Sequence, residues 1–119
     1  MTQLADRTCI PCKGGVPPME RAAAESFLAQ LGEGWELKAN GHLFLEKTYR
    51  FKDFAEALAF VNQIGSVAEE QSHHPDIALA WGRVTVQIWT HKIKGLTESD
   101  FIFAAKCDRL QLPPIGADY

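Results

Sequence analysis

The 119-residue chain contains 46% hydrophobic and 23% charged residues and has a formal net charge of −3. This composition indicates neither disorder nor a membrane protein, and without a concentrated run of Lys or Arg it argues against nucleic acid as a direct partner. We therefore expect a single domain over residues 1–119, with one core, that binds a small molecule or another protein.

The N-terminal segment, MTQLADRTCIPCKGG, lacks the apolar core of a secretory signal, and we expect a cytoplasmic protein. Cys9 and Cys12 form a CxxC motif. A zinc site needs two further ligands at suitable spacing, and a redox pair normally lies between a strand and a helix. We therefore interpret residues 1–16 as a loose arm. Cys107 is predicted to be a small packing residue, and residues 111–119 a loose tail.

The first predicted element is a helix that begins after Pro18 and runs through MERAAAESFLAQL, with Gly32 or Gly34 ending it. Two strands follow over residues 35–38 and 42–51. The Asn-Gly pair between them is the strongest short-range signal for a β-hairpin.

A long second helix is predicted to begin at Asp53, which together with Glu56 resembles a capping box, and to reach about Ser72. Its apolar stripe is expected to cover a sheet and contains Phe54, Leu58, Val61, Ile64 and Ala68.

The second predicted hairpin joins a strand after Pro75 to a strand from Val84 to His91, with Gly82-Arg83 as a type II′ turn. Alternation along the last strand places His91 on the face opposite the aliphatic row. Thr97 and Asp100 form a second capping box and start the final helix.

The resulting order is α-β-β-α-β-β-α. Two hairpins imply mainly antiparallel pairing, and the apolar helix stripes imply an α+β fold with helices on one face of the sheet. The other face is left partly uncovered, which favours a partner subunit or a ligand there.

The segment AEEQSHHPDI, residues 68–77, concentrates ionisable groups where the second helix ends. His73 lies at the helix C-terminus, and Glu69 lies four residues earlier on the same face. Pro75 pushes His74 towards extended geometry. The residues alone leave three alternatives open: solvated rings at a helix end, a metal site, or an acid–base site. Asp100 is already explained as the capping partner of Thr97.

The combined pattern is more specific than its parts. It resembles the signature of the pterin-4a-carbinolamine dehydratase family, in its bacterial type, from about Trp35 to Leu110. The matching segments are Phe51-Lys52-Asp53-Phe54, Glu69-x3-His73-His74-Pro75, Trp81, Thr90-His91 and Gly95-Leu96-Thr97-Glu98-Ser99-Asp100.

This resemblance implies a four-stranded antiparallel sheet backed by helices, assembled as a homodimer or homotetramer. It also implies dehydration of 4a-hydroxytetrahydrobiopterin to quinonoid dihydropterin, which recycles the pterin of aromatic amino acid hydroxylases such as phenylalanine hydroxylase. No hydride moves and no carbonyl is polarised in this reaction, so neither a cofactor nor a metal is expected.

The resemblance also implies roles for individual residues. His73 and His91 would transfer protons, and His74 would hold the substrate after a turn fixed by Pro75. Glu69 would orient His73, and Asp100 would support His91. The remaining implied contacts are stacking by Trp81 and pocket lining by Thr90 and Lys92.

Imidazole, with an ordinary pKa of about 6.5, can act as acid or base at neutral pH.

Two rival hypotheses remain. One is a dimerisation or coactivator module on the same scaffold, and the other is a three-histidine metalloenzyme.

Overall fold

The computed structural model describes residues 4–9 and 17–110, which form an α+β fold. The order α-β-β-α-β-β-α predicted from the sequence is confirmed, with two short 3-10 helices added. The elements are a 3-10 helix at Leu4–Asp6, α1 Arg21–Leu28, β1 Glu36–Ala39, β2 Leu43–Arg50, α2 Phe54–Gln71, β3 Asp76–Ala80, β4 Arg83–Ile88, a 3-10 helix at His91–Ile93 and α3 Glu98–Asp108. In these ranges, no helix has the length and apolarity needed to cross a membrane.

The four strands form one antiparallel sheet, as predicted, and their order in the sheet is β1-β2-β4-β3. The long strand β2 and strand β4 occupy the centre. In the outer pair, Asp76 at the start of β3 lies opposite Gln87 near the end of β4. This register brings the residues that precede β3 close to the residues that follow β4.

The helices pack against one face of the sheet. Side chains alternate along β4, so that Val84, Val86 and Ile88 are fully buried beneath the helices while Thr85 and Gln87 face the uncovered side. Phe60 of α2 and Phe101 of α3 are also fully buried. Burial of each such side chain stabilises the fold by about 1.5–3 kcal/mol.

The apolar stripe predicted for α2 is partly wrong. Ile64 and Ala68 are buried as expected, but Phe54 and Leu58 are 45% and 41% exposed. The face that contacts the core is instead centred on Ala57 and Phe60, which are fully buried together with Ile64. These positions share one side of a helix with 3.6 residues per turn, whereas Phe54 and Leu58 lie at its edge.

Two turns also differ from the prediction. Helix α1 ends at Leu28, because the N–H groups of Gln30 and Leu31 bond to carbonyls only three residues back.

In the second hairpin Ala80 pairs with Arg83, so the turn residues are Trp81 and Gly82. Neither has a positive φ, and a type II′ turn at Gly82-Arg83 is therefore wrong.

The prediction of a loose N-terminal arm is wrong for residues 4–9, which pack against α3. Leu4 and Cys9 are only 4% exposed. Arg7 forms an ion pair with Glu98, and Lys106 Nζ donates a hydrogen bond of 2.9 Å to the carbonyl of Ala5. Cys12 and the predicted tail lie outside the described residues.

Candidate active site

Three histidines reach the same end of the sheet from two segments. Helix α2 ends at Gln71, and its C-cap is Ser72, a left-handed residue with φ 52° and ψ 40°. The chain then leaves the helix through His73 and His74 and enters β3. On the other side, β4 ends at Ile88 and His91 begins a 3-10 helix, so the prediction that His91 ends the strand is wrong.

A short closed loop holds His91 beside β4. Thr90 and Gly95 pair across its base, with the Thr90 N–H donating to the Gly95 carbonyl at 2.8 Å. Gly95 has no room for a side chain, because a Cβ atom there would lie 2.5 Å from Cβ of Pro18. The loop is therefore fixed both by backbone pairing and by close packing.

The two segments line a single cleft of ≈ 360 Å³. This volume falls in the lower range of small-molecule sites. Of the residues predicted for the site, the cleft brings together His73, His74, His91, Thr90 and Lys92. Ser72 and Trp89 complete the lining and were not predicted from the sequence.

His73 is held by a buried carboxylate. Its Nε2 lies 2.6 Å from Oδ1 of Asp100, with side-chain exposures of 11% and 0%. The other carboxylate oxygen accepts from the Thr90 hydroxyl and from the Thr97 N–H, both at 2.8 Å. An ionised carboxylate only accepts hydrogen bonds, so Nε2 carries a proton and Nδ1 is the basic nitrogen of the neutral ring.

His74 has a different environment. Its Nε2 lies 2.5 Å from Oε2 of Glu69, but the two side chains are 59% and 79% exposed. Exposed pairs are screened by water and hold their partners weakly. Of these two histidines, His73 is therefore the one with a preorganised ring.

The observed partners correct two assignments. Glu69 was expected to orient His73 and Asp100 to support His91, whereas Glu69 contacts His74 and Asp100 contacts His73. The left-handed Ser72 ends the helix before His73, so the helical i, i+4 relation to Glu69 no longer applies. The first turn of α3 then reaches His73 from the other side.

Trp81 is not brought to the cleft. It is 68% exposed and lies in the turn at the opposite end of the β3–β4 hairpin. Pro75 lies between His74 and the start of β3 and does not line the cleft. Besides the histidines, Trp89 is the aromatic side chain that lines the cleft, and no role was assigned to it from the sequence.

The N-terminal arm supports the back of this site. The Cys9 N–H donates to Oε1 of Gln71 at 2.9 Å, and its thiol donates to the Ser99 carbonyl at 3.5 Å. Cys9 therefore links the end of α2 to the start of α3, next to His73 and Asp100. Burial raises the pKa of the Cys9 thiol to about 11, so this thiol is not an acid–base group at neutral pH.

Over residues 4–9 and 17–110, no three His, Cys, Asp or Glu side chains are grouped so that they could hold a metal ion. The site consists of three imidazoles around an open cleft, and two of them, His73 and His74, have carboxylate partners. Such an arrangement, at the end of an antiparallel sheet backed by helices, places groups that can accept and donate protons around one cleft of an α+β protein.

Comparisons with known proteins agree with this description. Residues 17–110 match the family described as pterin 4 alpha carbinolamine dehydratase. A relative from Rubrobacter xylanophilus is 54% identical over 110 residues, covering 92% of this chain and 100% of the relative. A relative from Rickettsia bellii is 51% identical over 108 residues, covering 91% and 94%. Both are provisionally named as pterin-4-alpha-carbinolamine dehydratases.

Among solved structures, a transcriptional coactivator/pterin dehydratase from Brucella melitensis superposes with a TM-score of 0.70 at 33% identity, covering 76% of this chain and 95% of that one. The chain therefore belongs to the pterin-4-alpha-carbinolamine dehydratase family, a family of hydro-lyases. The resemblance found in the sequence is confirmed.

Proposed function

We propose that this protein dehydrates 4a-hydroxytetrahydrobiopterin to quinonoid dihydropterin and water by histidine acid–base catalysis. The observation that carries the proposal is the convergence of His73, His74 and His91 on one cleft from segments on either side of the β3–β4 hairpin. Family membership supports a pterin as the substrate.

The reaction needs an acid and a base at once. The C4a–O bond breaks and its oxygen leaves as water after taking up a proton, while the adjacent ring nitrogen loses its proton and forms the C=N bond. No electrons leave the pterin, so the proposed reaction requires no hydride carrier and no metal. A positioned acid or base typically accelerates such a step ~10²- to 10⁴-fold.

The site geometry suits these roles. Asp100 fixes the proton of His73 on Nε2, which leaves Nδ1 to exchange a proton with the substrate. His91 faces the same cleft and supplies the second proton-transfer group. The two imidazoles exchange roles between the two stereoisomers of the hydroxypterin. His74, with Thr90 and Lys92 in the lining, holds the substrate.

Stopped-flow measurement of the decay of 4a-hydroxypterin absorbance tests the proposal. We expect His73→Ala and His91→Ala each to lower kcat by ~10²- to 10⁴-fold, and the double variant to leave little above the spontaneous rate. His74→Ala serves as the graded comparison, with a rise in KM larger than its loss of kcat. Wild-type rates in the double variant would overturn the proposal, provided that circular dichroism shows an intact fold.

The expected metabolic neighbour is an aromatic amino acid hydroxylase such as phenylalanine hydroxylase, which generates the hydroxylated pterin. The expected assembly is a homodimer or homotetramer. The exposure of Phe54, Leu58 and Trp81 supports assembly, because large apolar side chains at a surface favour contact with another subunit. Light scattering during gel filtration gives the mass of the assembly directly.

A second candidate is a dimerisation or coactivator module on the same scaffold. The Brucella melitensis relative is named for both a coactivator and a dehydratase, and the exposed apolar residues offer a protein-binding surface. Such a module tolerates loss of His73 and His91 but fails when Phe54 and Leu58 become charged. The two functions therefore respond to different substitutions.

A further inference from the structure

A row of four aromatic rings runs along the uncovered face of the sheet and ends at the cleft. Phe44 lies on β2, His42 lies just before it, and Trp89 and His91 follow β4. The pairing of Glu46 with Gln87, continued along the two strands, brings Phe44 opposite Trp89. We refer to His42, Phe44, Trp89 and His91 as the aromatic row.

Trp89 is the centre of the aromatic row. Its ring centroid lies 4.4 Å from that of His91 and 5.1 Å from that of His42. Phe44 contacts it at 6.2 Å and contacts His42 at 6.0 Å. These separations fall at or near the range in which aromatic pairs attract one another beyond simple burial.

His42 is itself held in place. Its Nδ1–H donates to the carbonyl of Leu43 at 3.2 Å, which fixes the ring against the backbone of β2. His42 can therefore support the indole of Trp89, which also contacts His91.

His91 differs from the other two histidines of the cleft in how it is held. His73 and His74 each bond to a carboxylate. Over residues 4–9 and 17–110, the His91 ring makes no hydrogen bond or ion pair, and Trp89 is its one aromatic contact. The orientation of His91 therefore depends on the indole.

We propose that Trp89 is the positioning residue of His91, and that His42 and Phe44 act through Trp89 by holding its indole. The catalytic part of this inference rests on the proposed function, because it takes His91 as a proton-transfer group. It gives a role to His42, the histidine that does not line the cleft, and to Trp89, which had no role assigned from the sequence.

The kinetic test compares substitutions along the aromatic row. Trp89→Leu is expected to lower kcat roughly ten-fold with a smaller change in KM, His42→Leu roughly three-fold, and Trp89→Phe less than two-fold because a flat ring remains. Phe51→Leu, which removes an aromatic ring that contacts Phe60 near the Gly82 turn at the opposite end of the sheet, is the matched control and should keep the wild-type rate. Wild-type kcat in Trp89→Leu would overturn the proposal.

A double-mutant cycle separates positioning of His91 from a general contribution to the cleft. If Trp89 acts through His91, Trp89→Leu should cause no further loss of kcat in a His91→Ala background. A further ten-fold loss in that background would mean that Trp89 acts on the substrate or on the fold, and would refute the positioning role.

An NMR measurement keeps this inference distinct from the proposed function. In the free protein, the indole ring current should shift the imidazole protons of His91, and Trp89→Leu should remove that shift while the signals of His73 stay in place. Absence of dehydratase activity in the wild type would defeat the proposed function but not this measurement. Unchanged His91 signals in Trp89→Leu would defeat the positioning role, even in an active enzyme.

Discussion

Replacing Asp100 with Asn and with Ala distinguishes two roles of this buried carboxylate, the bond to His73 and the capping of α3. Oδ1 serves His73, and Oδ2 serves the Thr97 N–H and the Thr90 hydroxyl. Asn keeps an oxygen that can serve Thr97 and Thr90, but it turns an N–H donor towards His73. Ala removes every acceptor at this position.

The magnitudes follow from the bonds that are lost. A hydrogen bond to a charged group contributes about 1.5–3 kcal/mol. In Asp100→Ala, the Thr90 hydroxyl can still donate to Oγ1 of Thr97, 3.2 Å away, so the uncompensated bonds are those of His73 and the Thr97 N–H. We expect the free energy of unfolding to fall by about 3–5 kcal/mol for Ala and by about 1–2 kcal/mol for Asn.

Catalysis should respond differently from stability. With Asn at position 100, His73 must accept through Nε2 and carry its proton on Nδ1, so the basic nitrogen is no longer available to the substrate. We expect kcat to fall ~10²- to 10⁴-fold in both variants. Urea unfolding followed by circular dichroism and stopped-flow rates give the two quantities. Equal destabilisation by Asn and Ala, or a wild-type kcat for Asn, would refute this reasoning.

Three further predictions concern the surroundings of the site. Gly95→Ala should destabilise the protein by about 1–3 kcal/mol and lower kcat, because the new methyl group overlaps Pro18 and displaces the His91 loop; urea unfolding without destabilisation would contradict this. In a Cys12→Ser variant, iodoacetamide should label Cys9 slowly in the folded protein at pH 8 and rapidly in urea. The reason is that a pKa of about 11 in the folded protein leaves roughly one Cys9 side chain per thousand as the reactive thiolate. Mass spectrometry of the labelled peptide measures the rate, and fast labelling of the folded protein would contradict the docking of residues 4–9. A hydrogen bond from Lys38, which has the larger effect, and one from Gln87 lower the pKa of Glu46 below its ordinary value of 4.5. The stabilisation that these bonds give to the fold is therefore present above pH 4.5 and is lost as the pH falls through the lowered pKa. Glu46→Gln should therefore be less stable than wild type at pH 7 and equally stable in strong acid, and a stability difference that does not depend on pH would rule out this linkage.

Local signals in the sequence predicted most of the fold. Asn40-Gly41 correctly indicated the first hairpin, and the Thr97–Asp100 capping box is present at the start of α3 with both of its hydrogen bonds. Asp53 also caps α2 through a bond of 2.9 Å from the Glu56 N–H. These features depend on residues within three or four positions of one another, so a short segment contains the information that specifies them.

The details of the site depend on contacts that no short segment specifies. The partner of His73 lies 27 residues away, and Cys9 reaches Gln71 over 62 residues. The three histidines predicted from the sequence line one cleft, but their carboxylate partners were not predicted correctly. The left-handed backbone at Ser72 ends the helix before His73, so that His73 contacts Asp100 and His74 contacts Glu69. A non-glycine residue at this position gives no clear sign of such a turn, since an Asn or Gly is the usual indication.

Asp100 caps the first turn of α3 and also fixes the position of the proton on the His73 imidazole. The first turn of α3 and the proton on Nε2 of His73 depend on the same carboxylate, so neither is complete without the other. A chain refolding from denaturant should thus regain turnover only when that turn closes, even if the sheet has already assembled. Enzymatic rate during refolding would then report the closing of a single helical turn.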